Sequence, residues 1–63
     1  MTPKVEYDPE ANAAYLRFSF KRIVESEEVS VGIVLDYDDQ GRIVGMEVLD
    51  ARKKLPPEIL TEA

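Results

Sequence analysis

The sequence contains no cysteine and no histidine among its 63 residues. The absence of cysteine excludes disulfide bonds and thiolate zinc sites, and the absence of histidine removes the commonest transition-metal ligand and the commonest general base. A domain of this length buries only about 60% of the surface that its unfolded chain exposes, so its stability is marginal. The supports that remain for so short a chain are an oxygen-ligated cation or self-association.

Positive charge is also scarce, since thirteen acidic residues outnumber eight basic ones and the net charge is −5. Nucleic acid and anionic lipid both attract positive surfaces, so we expect the chain to bind neither nucleic acid nor a membrane. The basic run at residues 52–54 is more typical of a solvated helix face than of a nucleic-acid site. No apolar run is long enough to span a membrane or to serve as a signal sequence, which predicts a cytoplasmic location.

The chain does contain a succession of short segments with alternating polarity, which is typical of β-strands. The predicted strands are residues 4–7, 13–20, 29–37 and 43–49. Turn-forming residues separate them at 8–12 and 38–41, while residues 21–28 fit either an edge strand or a loop. Gly32 interrupts the third segment and indicates a bulge or a bend.

The C-terminal residues favour helix instead. Asp50 is a good N-cap and precedes several helix formers, and the pair Pro56–Pro57 ends that turn. Pro57 then suits the first position of a second short helix, which we place at residues 58–62. The sequence therefore predicts one α+β domain over residues 1–63, with a small antiparallel β-meander of about four strands over 4–49 and helical turns over 50–63.

Residues 36–47, with the sequence DYDDQGRIVGME, nearly match a calcium-binding loop. Asp36, Asp38, Gly41 and Glu47 occupy the expected loop positions, and only Gln40 departs from the pattern. Such a loop needs a helix on each side to aim its ligands, whereas both flanking segments here are strand-like. We therefore interpret the segment as a β-hairpin, and we expect no metal site, no cofactor site and no catalytic residues.

The predicted hairpin has a type I turn at residues 38–41, with Gly41 in the left-handed conformation and an adjacent bulge. Its register pairs Tyr37 with Ile43, Leu35 with Gly45, and Ile33 with Glu47. The acidic side chains at the tip then bond to the turn backbone and keep it soluble. Weak cation binding by Asp36, Asp38 and Asp39 remains an alternative.

Both faces of this hairpin carry apolar side chains in the predicted register. One candidate face for a dimer or another partner consists of Val31, Ile33, Leu35, Tyr37, Ile43 and Leu49. One short helical segment cannot cover both faces of a four-stranded sheet, and an uncovered apolar face favours association. We therefore expect a homodimer.

Two segments resemble a known family. Residues 7–17 follow the pattern YD-x-x-A-x-A-x-YLR, and residues 32–51 read GIVLDYDDQGRIVGMEVLDA. Both are similar to a small bacterial family catalogued as domain of unknown function 2283, and the resemblance covers about residues 5–55. It implies a small β-meander with a C-terminal helical element and no established activity. Gene context in that family implies antitoxin partners of small ribonuclease-type toxins, which is an association and not a mechanism.

Three functional hypotheses follow. The first is a non-catalytic protein-binding module, such as an antitoxin-like neutraliser of a basic ribonuclease-type toxin, because an acidic surface attracts a basic partner. Its candidate contacts are the acidic residues Glu25, Glu27, Glu28, Asp36, Asp38 and Asp39. The second is a structural homodimer. The third is an enzyme that uses Asp36 and Glu47 as acid and base, which we disfavour because the predicted register puts them on opposite faces.

Overall fold

The computed structural model describes residues 3–61, which form a five-stranded antiparallel sheet and two short helices. The elements are β1 (Lys4–Asp8), β2 (Ala13–Arg17), β3 (Glu25–Ser30), β4 (Ile33–Tyr37), β5 (Ile43–Leu49), α1 (Ala51–Lys54) and α2 (Pro57–Thr61). The predicted class, an antiparallel sheet followed by short helical turns, is confirmed, with one strand more than the four predicted. Residues 1, 2, 62 and 63 of the predicted domain lie outside the described residues.

The strand order is β1-β2-β5-β4-β3, so the sheet departs from a simple meander. The last strand, β5, enters between β2 and β4, so both of its backbone edges are hydrogen-bonded to neighbouring strands. The acidic strand β3 occupies an edge. Residues 18–24 carry the chain from β2 to β3, and hydrogen bonds from Phe18 N and Ser19 N to Val44 O, and from Val24 N to Tyr37 O, attach this loop to the central strands.

A β-bulge changes the register of the β4–β5 hairpin. Tyr37 pairs with Ile43, as predicted, but the next pair is Asp36 with Gly45, so Val44 has no partner on β4. The predicted pairings of Leu35 with Gly45 and of Ile33 with Glu47 are therefore wrong by one residue. Because side chains alternate along a strand, that single extra residue moves the rest of β5 to the other face.

The shift divides the predicted six-residue apolar face. Leu35 pairs with Met46 and Ile33 with Val48, so these side chains share the face that carries the core. Leu49 pairs with Ala13 and lies on the opposite face. Val31 is 86% exposed in the turn between β3 and β4, where the strand predicted over 29–37 is interrupted. The prediction that the six residues form one surface is wrong.

The core is small and lies on one face of the sheet, called the core face below. Ala14, Val48 and Ala51 form its buried centre. Around them pack half-buried side chains from β1, β2, β5, α2 and the residue that follows α1: Tyr7, Leu16, Met46, Leu60 and Leu55. The helices therefore cover the half of the core face formed by β1, β2 and β5, which we call the covered half. The residues of β4 and β3 on the same face form the open half.

A polar clamp joins the β1–β2 turn to α1. Asn12 Oδ1 accepts from Tyr7 Oη at 3.2 Å and from Arg52 N at 3.0 Å, and Asn12 Nδ2 donates to Asp50 Oδ1 at 3.1 Å. Asn12 and Asp50 both adopt left-handed backbone conformations, with φ of 52° and 58°. Asp50 occupies the N-cap position of α1, as predicted, but its side chain makes no cap hydrogen bond, and its carboxylate serves the clamp instead.

The second helix begins at Pro57, as the proline at a first helical position predicts. Its predicted end at residue 62 lies outside the described residues. No helix within residues 3–61 has the length and apolar character needed to cross a membrane.

Candidate functional site

A chain of hydrogen bonds crosses the face of the sheet opposite the core face, called the polar face below. Tyr15 Oη donates to Asp36 Oδ2 at 2.7 Å, and Ser26 Oγ donates to Asp36 Oδ1 at 2.6 Å. These residues belong to β2, β4 and β3, and the Tyr15 side chain passes over β5 to reach Asp36. This polar relay of Tyr15, Asp36 and Ser26 therefore ties the edge strand β3 to strands deep in the sheet.

Gly45 provides the space that the relay needs. It is a buried residue of β5, opposite Arg17 on one side and Asp36 on the other. A Cβ atom at this position would overlap the hydroxyl group and the ring of Tyr15. Glycine inside a strand often marks such a close approach, and here it lets an aromatic ring lie across the backbone.

The electrostatics of the relay favour a structural role for Asp36. The residue is 8% exposed, and both of its oxygens accept a short hydrogen bond. Burial, followed by the hydrogen bond to Asp36, raises the pKa of Tyr15 to about 12. Tyr15 thus remains a protonated donor at neutral pH. The Arg17 guanidinium lies 5.0 Å from the centre of the Tyr15 ring and gives the ring a cation–π contact.

The polar face also holds Asp36 and Glu47, the two carboxylates that were considered as an acid–base pair from the sequence. Glu47 pairs with Tyr15 on β2 and with Val34 on β4, so it shares a face with Asp36. The prediction that these carboxylates lie on opposite faces is wrong, because the bulge shifts β5 by one residue. Glu47 is exposed, whereas Asp36 is engaged at both oxygens by Tyr15 and Ser26. In this arrangement Asp36 connects strands.

The hairpin turn resembles the prediction closely. Gly41 has φ of 75°, and Gly41 N donates to Asp38 O at 3.1 Å, so the left-handed conformation at Gly41 is confirmed. Asp38 Oδ1 accepts from Gln40 N and Arg42 N, each at 2.9 Å. The bond from Arg42 N is the main cause that lowers the pKa of Asp38, and it outweighs the opposing effect of burial. This aspartate therefore stabilises the turn from inside.

The calcium-loop pattern does not assemble into a cluster. Asp36 faces Tyr15 and Ser26, while Asp38 binds the backbone of its own turn. No group of three or more acidic side chains suited to a metal ion occurs in the part of the chain from residue 3 to residue 61.

The predicted acidic contacts separate into two groups. Those on β3 and at the turn tip are exposed: Glu25, Glu27, Glu28 and Asp39. Asp36 and Asp38 are 8% and 4% exposed and bond within the chain, so the prediction that they contact a partner does not fit their burial. The four exposed carboxylates remain candidates.

The edge strand β3 carries its acids on both faces. Glu25 pairs with Tyr37 and Glu27 with Leu35, which places both glutamates beside the open half. Glu28 pairs with Val34 on the polar face, and a bulge follows between Glu28 and Ser30. All six residues of β3 are exposed, which is consistent with an edge that has no neighbour beyond it.

Sequence reasoning missed Ser26, Tyr15 and Gly45 as parts of one unit. A glycine inside the apolar run 43–49 is the one signal that indicates a close approach. Its partner was not recognisable, because Tyr15 reaches Gly45 only when β5 lies beside β2. That neighbourhood depends on the strand order and not on any local pattern.

Comparison with known families adds one finding. The chain matches the family model described as protein of unknown function DUF2283 over residues 4–52. Neither the curated proteins nor the solved structures give a match. The matched segment contains all five strands and the beginning of α1. Since the family model covers well over half of the sequence, the chain belongs to the DUF2283 family.

Proposed function

We propose that the chain is a non-catalytic, cytoplasmic protein-binding module that receives an exposed strand of a basic partner along the edge of β3. The observation that carries the proposal is the state of this edge. All six residues of β3 are exposed, and the order of the strands within residues 3–61 leaves one of its sides without a neighbour. An unpaired edge offers a row of backbone donors and acceptors to an added strand.

The polar relay supports this proposal because it keeps β3 ordered before a partner binds. An exposed edge strand of mostly polar residues gains little from burial, yet Ser26 holds β3 to Asp36 by a 2.6 Å bond. A bond to a charged acceptor is stronger than a neutral one. A strand that is already ordered loses less conformational entropy when a partner adds to it, so the added strand binds more tightly.

The charge of the edge supports a basic partner in particular. In the neighbourhood of β3 an added strand meets Glu25 and Glu27 on one face and Glu28 on the other. Lysine or arginine at alternate positions of the added strand would pair with these glutamates. Antiparallel pairing of β3 with β3 of another copy would instead place glutamates opposite glutamates, which is unfavourable. The edge therefore selects against its own copy.

A narrower hypothesis concerns the identity of the partner. The family resemblance implies a small ribonuclease-type toxin, whose RNA-binding surface would be basic. Under that hypothesis the chain inhibits RNA cleavage by the product of a neighbouring gene when the two proteins are mixed. Uninhibited cleavage would contradict the toxin hypothesis. It would not contradict the general binding proposal, which is tested separately with a peptide.

The general proposal is tested with a synthetic strand peptide that alternates lysine and valine. Amide resonances of the labelled protein are followed by nuclear magnetic resonance during titration. We expect saturable shifts concentrated at residues 25–30, and no saturation with a peptide of similar charge in which prolines prevent strand pairing. Shifts spread evenly over the surface would contradict edge pairing.

Two matched variants separate the edge from net charge. The first changes Glu25, Glu27 and Glu28 to lysine, and the control changes the exposed acids Glu6, Glu10 and Glu58 to lysine. Both alter the net charge equally. We expect the β3 variant to lose peptide affinity by about tenfold or more, since it replaces attraction by repulsion at the contact. Equal losses in both variants would show that only net charge matters.

A further inference from the structure

We propose that a second copy of the chain covers the open half of the core face, and that each copy's helices lie over the open half of the other. This surface differs from the outer edge of β3, and the inference does not rest on the proposed function. It concerns Ile33, Leu35 and Tyr37 of β4, which are half-buried and are not among the side chains that pack around the core within residues 3–61.

The first argument is the uneven cover of the sheet. Within residues 3–61, every side chain that packs around the core comes from β1, β2, β5 or the helical segment 51–61, and α2 lies against β1. None comes from β4 or β3. Ile33 and Leu35 of β4 nevertheless point to the same face as Met46 and Val48, with which they pair. Half of an apolar sheet face thus lacks a second layer, although stable domains bury such a face between two layers.

The second argument is the size of the core. The buried apolar residues within 3–61 are Ala14, Val44, Val48 and Ala51, all of them small. A chain of this length needs additional support, and the sequence has no cysteine with which to form a disulfide. Covering the open half would bury further leucine, isoleucine and tyrosine surface, and the burial of apolar surface stabilises the folded state in proportion to the area removed from water.

Shape determines how the two copies meet. A twofold axis that runs parallel to the strands exchanges the two halves, so the helices of one copy face the open half of the other. An axis across the strands would stack helices on helices and hold the open halves roughly two helix diameters, about 20 Å, apart. The half-covered sheet therefore favours the first arrangement, in which each helical layer touches both sheets.

Charge and area agree with this arrangement. The open half is bordered by Glu25 and Glu27, whereas the helical layer that would enter it exposes, within residues 51–61, three bases, Arg52, Lys53 and Lys54, against one acid, Glu58. The molecule measures 32 × 27 × 17 Å along its principal axes. A rectangle that encloses its broad face is thus roughly 860 Å², so nearly the whole face must be covered to reach the approximately 800 Å² that each partner buries in a standard stable interface. A second copy can supply both the area and the opposite charge.

Mass in solution gives the first test, by sedimentation of the wild type and of two leucine variants. Leu35 lies on the open half, and Leu49, which is 44% exposed, lies on the polar face. We expect a wild-type dimer, dissociation of Leu35→Asp by at least about a hundredfold in the dissociation constant, and an intact dimer for Leu49→Asp. A monomeric wild type, or an intact Leu35→Asp dimer, would overturn the proposal.

Cross-linking gives a second test that does not depend on a destabilising variant. Because the chain has no cysteine, Leu35→Cys and Ile59→Cys each introduce a single thiol. Ile59 belongs to α2 and is half-buried, and it is not part of the packing around the core. We expect a short thiol cross-linker to join the two variants when they are mixed. Efficient linking of Leu35→Cys to itself, with little mixed product, would overturn the arrangement.

The two proposals fail independently. If the protein is monomeric and the peptide still shifts the amide resonances of β3, the edge-binding proposal holds and the dimer proposal is wrong. If the protein forms a dimer with the expected cross-links but binds no peptide, the dimer proposal holds and the edge-binding proposal is wrong.

Discussion

The two edge strands of this sheet are held in place by different means. β1 lies under α2, its Tyr7 packs around the core, and the Asn12 clamp attaches the following turn to α1. β3 has no helix above it, all its residues are exposed, and Ser26 attaches it to Asp36. β1 is therefore held mainly by apolar burial. β3 is held mainly by the hydrogen bond from Ser26 to Asp36, whose other oxygen accepts from Tyr15.

This difference has an energetic consequence. Apolar burial is spread over many contacts, so one lost methyl group weakens the covered half only in part. The relay depends on two hydrogen bonds to one buried carboxylate, so removing a single donor leaves one oxygen of that carboxylate without its hydrogen bond. Loss of the Ser26 bond should therefore release β3 selectively, while substitutions in the core or at the central part of the relay should lower the stability of the whole sheet.

The largest effect is expected for Gly45→Ala. The added Cβ would displace the Tyr15 side chain and take away the donor to Asp36. Loss of a hydrogen bond to a buried charge, together with the steric displacement, should lower the free energy of unfolding by about 3 kcal/mol. Urea denaturation measures this change.

Gly41→Ala is the matched control for that variant. Nothing lies within 4 Å of a Cβ at position 41, so its cost comes only from the left-handed φ of 75°. That strain should cost about 1 kcal/mol. Equal destabilisation by the two alanines would mean that the ring of Tyr15 does not need the space over Gly45.

Val48→Ala tests the covered half. Val48 is 1% exposed at the centre of the core, so truncation should cost about 2 kcal/mol through lost burial and the remaining cavity. Val31→Ala, at a site that is 86% exposed, should change the stability by less than about 0.5 kcal/mol. Hydrogen exchange should accelerate in all strands of Val48→Ala; acceleration confined to β3 would contradict the division between the halves.

Much of the fold could be predicted from local patterns. The alternation in residues 4–7 and 43–49 and the turn chemistry around Gly41 predicted strands and a hairpin that the structure contains. The bulge at Val44 was not predictable, because a single unpaired residue leaves no mark on the alternation of either strand. Its consequence was large, since it moved Leu49 and Glu47 to the face opposite the one predicted.

The edge strand and the site were harder to predict for a related reason. All side chains of β3 are exposed, so its sequence ESEEVS shows no alternation between apolar and polar residues. The relay joins residues 10 and 21 positions apart in the sequence, across a strand that enters the sheet last. Its residues could be recognised as polar and aromatic, but not as neighbours.

A third expected effect appears only in alkaline solution. The pKa of Tyr15 rises from 10.0 to about 12 in the fold, so the fold favours the protonated phenol. The corresponding stability is fully present below pH 10 and is lost as the pH rises from 10 towards 12. Burial, and then the charge of Glu27, also raises the pKa of Tyr37, which acts in the same direction.

Tyr15→Phe separates these two tyrosines. The variant lacks the titrating group of the relay, so its free energy of unfolding should fall less steeply above pH 10 than that of the wild type. Tyr37→Phe, which leaves the relay intact, should retain most of the wild-type slope. Identical slopes for the wild type and Tyr15→Phe would contradict the coupling of Tyr15 to Asp36.

Among the substitutions in the relay and the core, Ser26→Ala should have the smallest effect on global stability and the most local one. The substitution removes one hydrogen bond at an exposed edge, so the free energy of unfolding should fall by only about 1 kcal/mol. Hydrogen exchange should nevertheless accelerate at the β3 amides that pair with β4, while the amides of β1 and β2 keep their protection. Ser30→Ala is a suitable control, since it changes the same residue type on the same strand away from Asp36. If Ser30→Ala released β3 as fully as Ser26→Ala does, general fraying of the edge, and not the relay, would determine how firmly the strand is held.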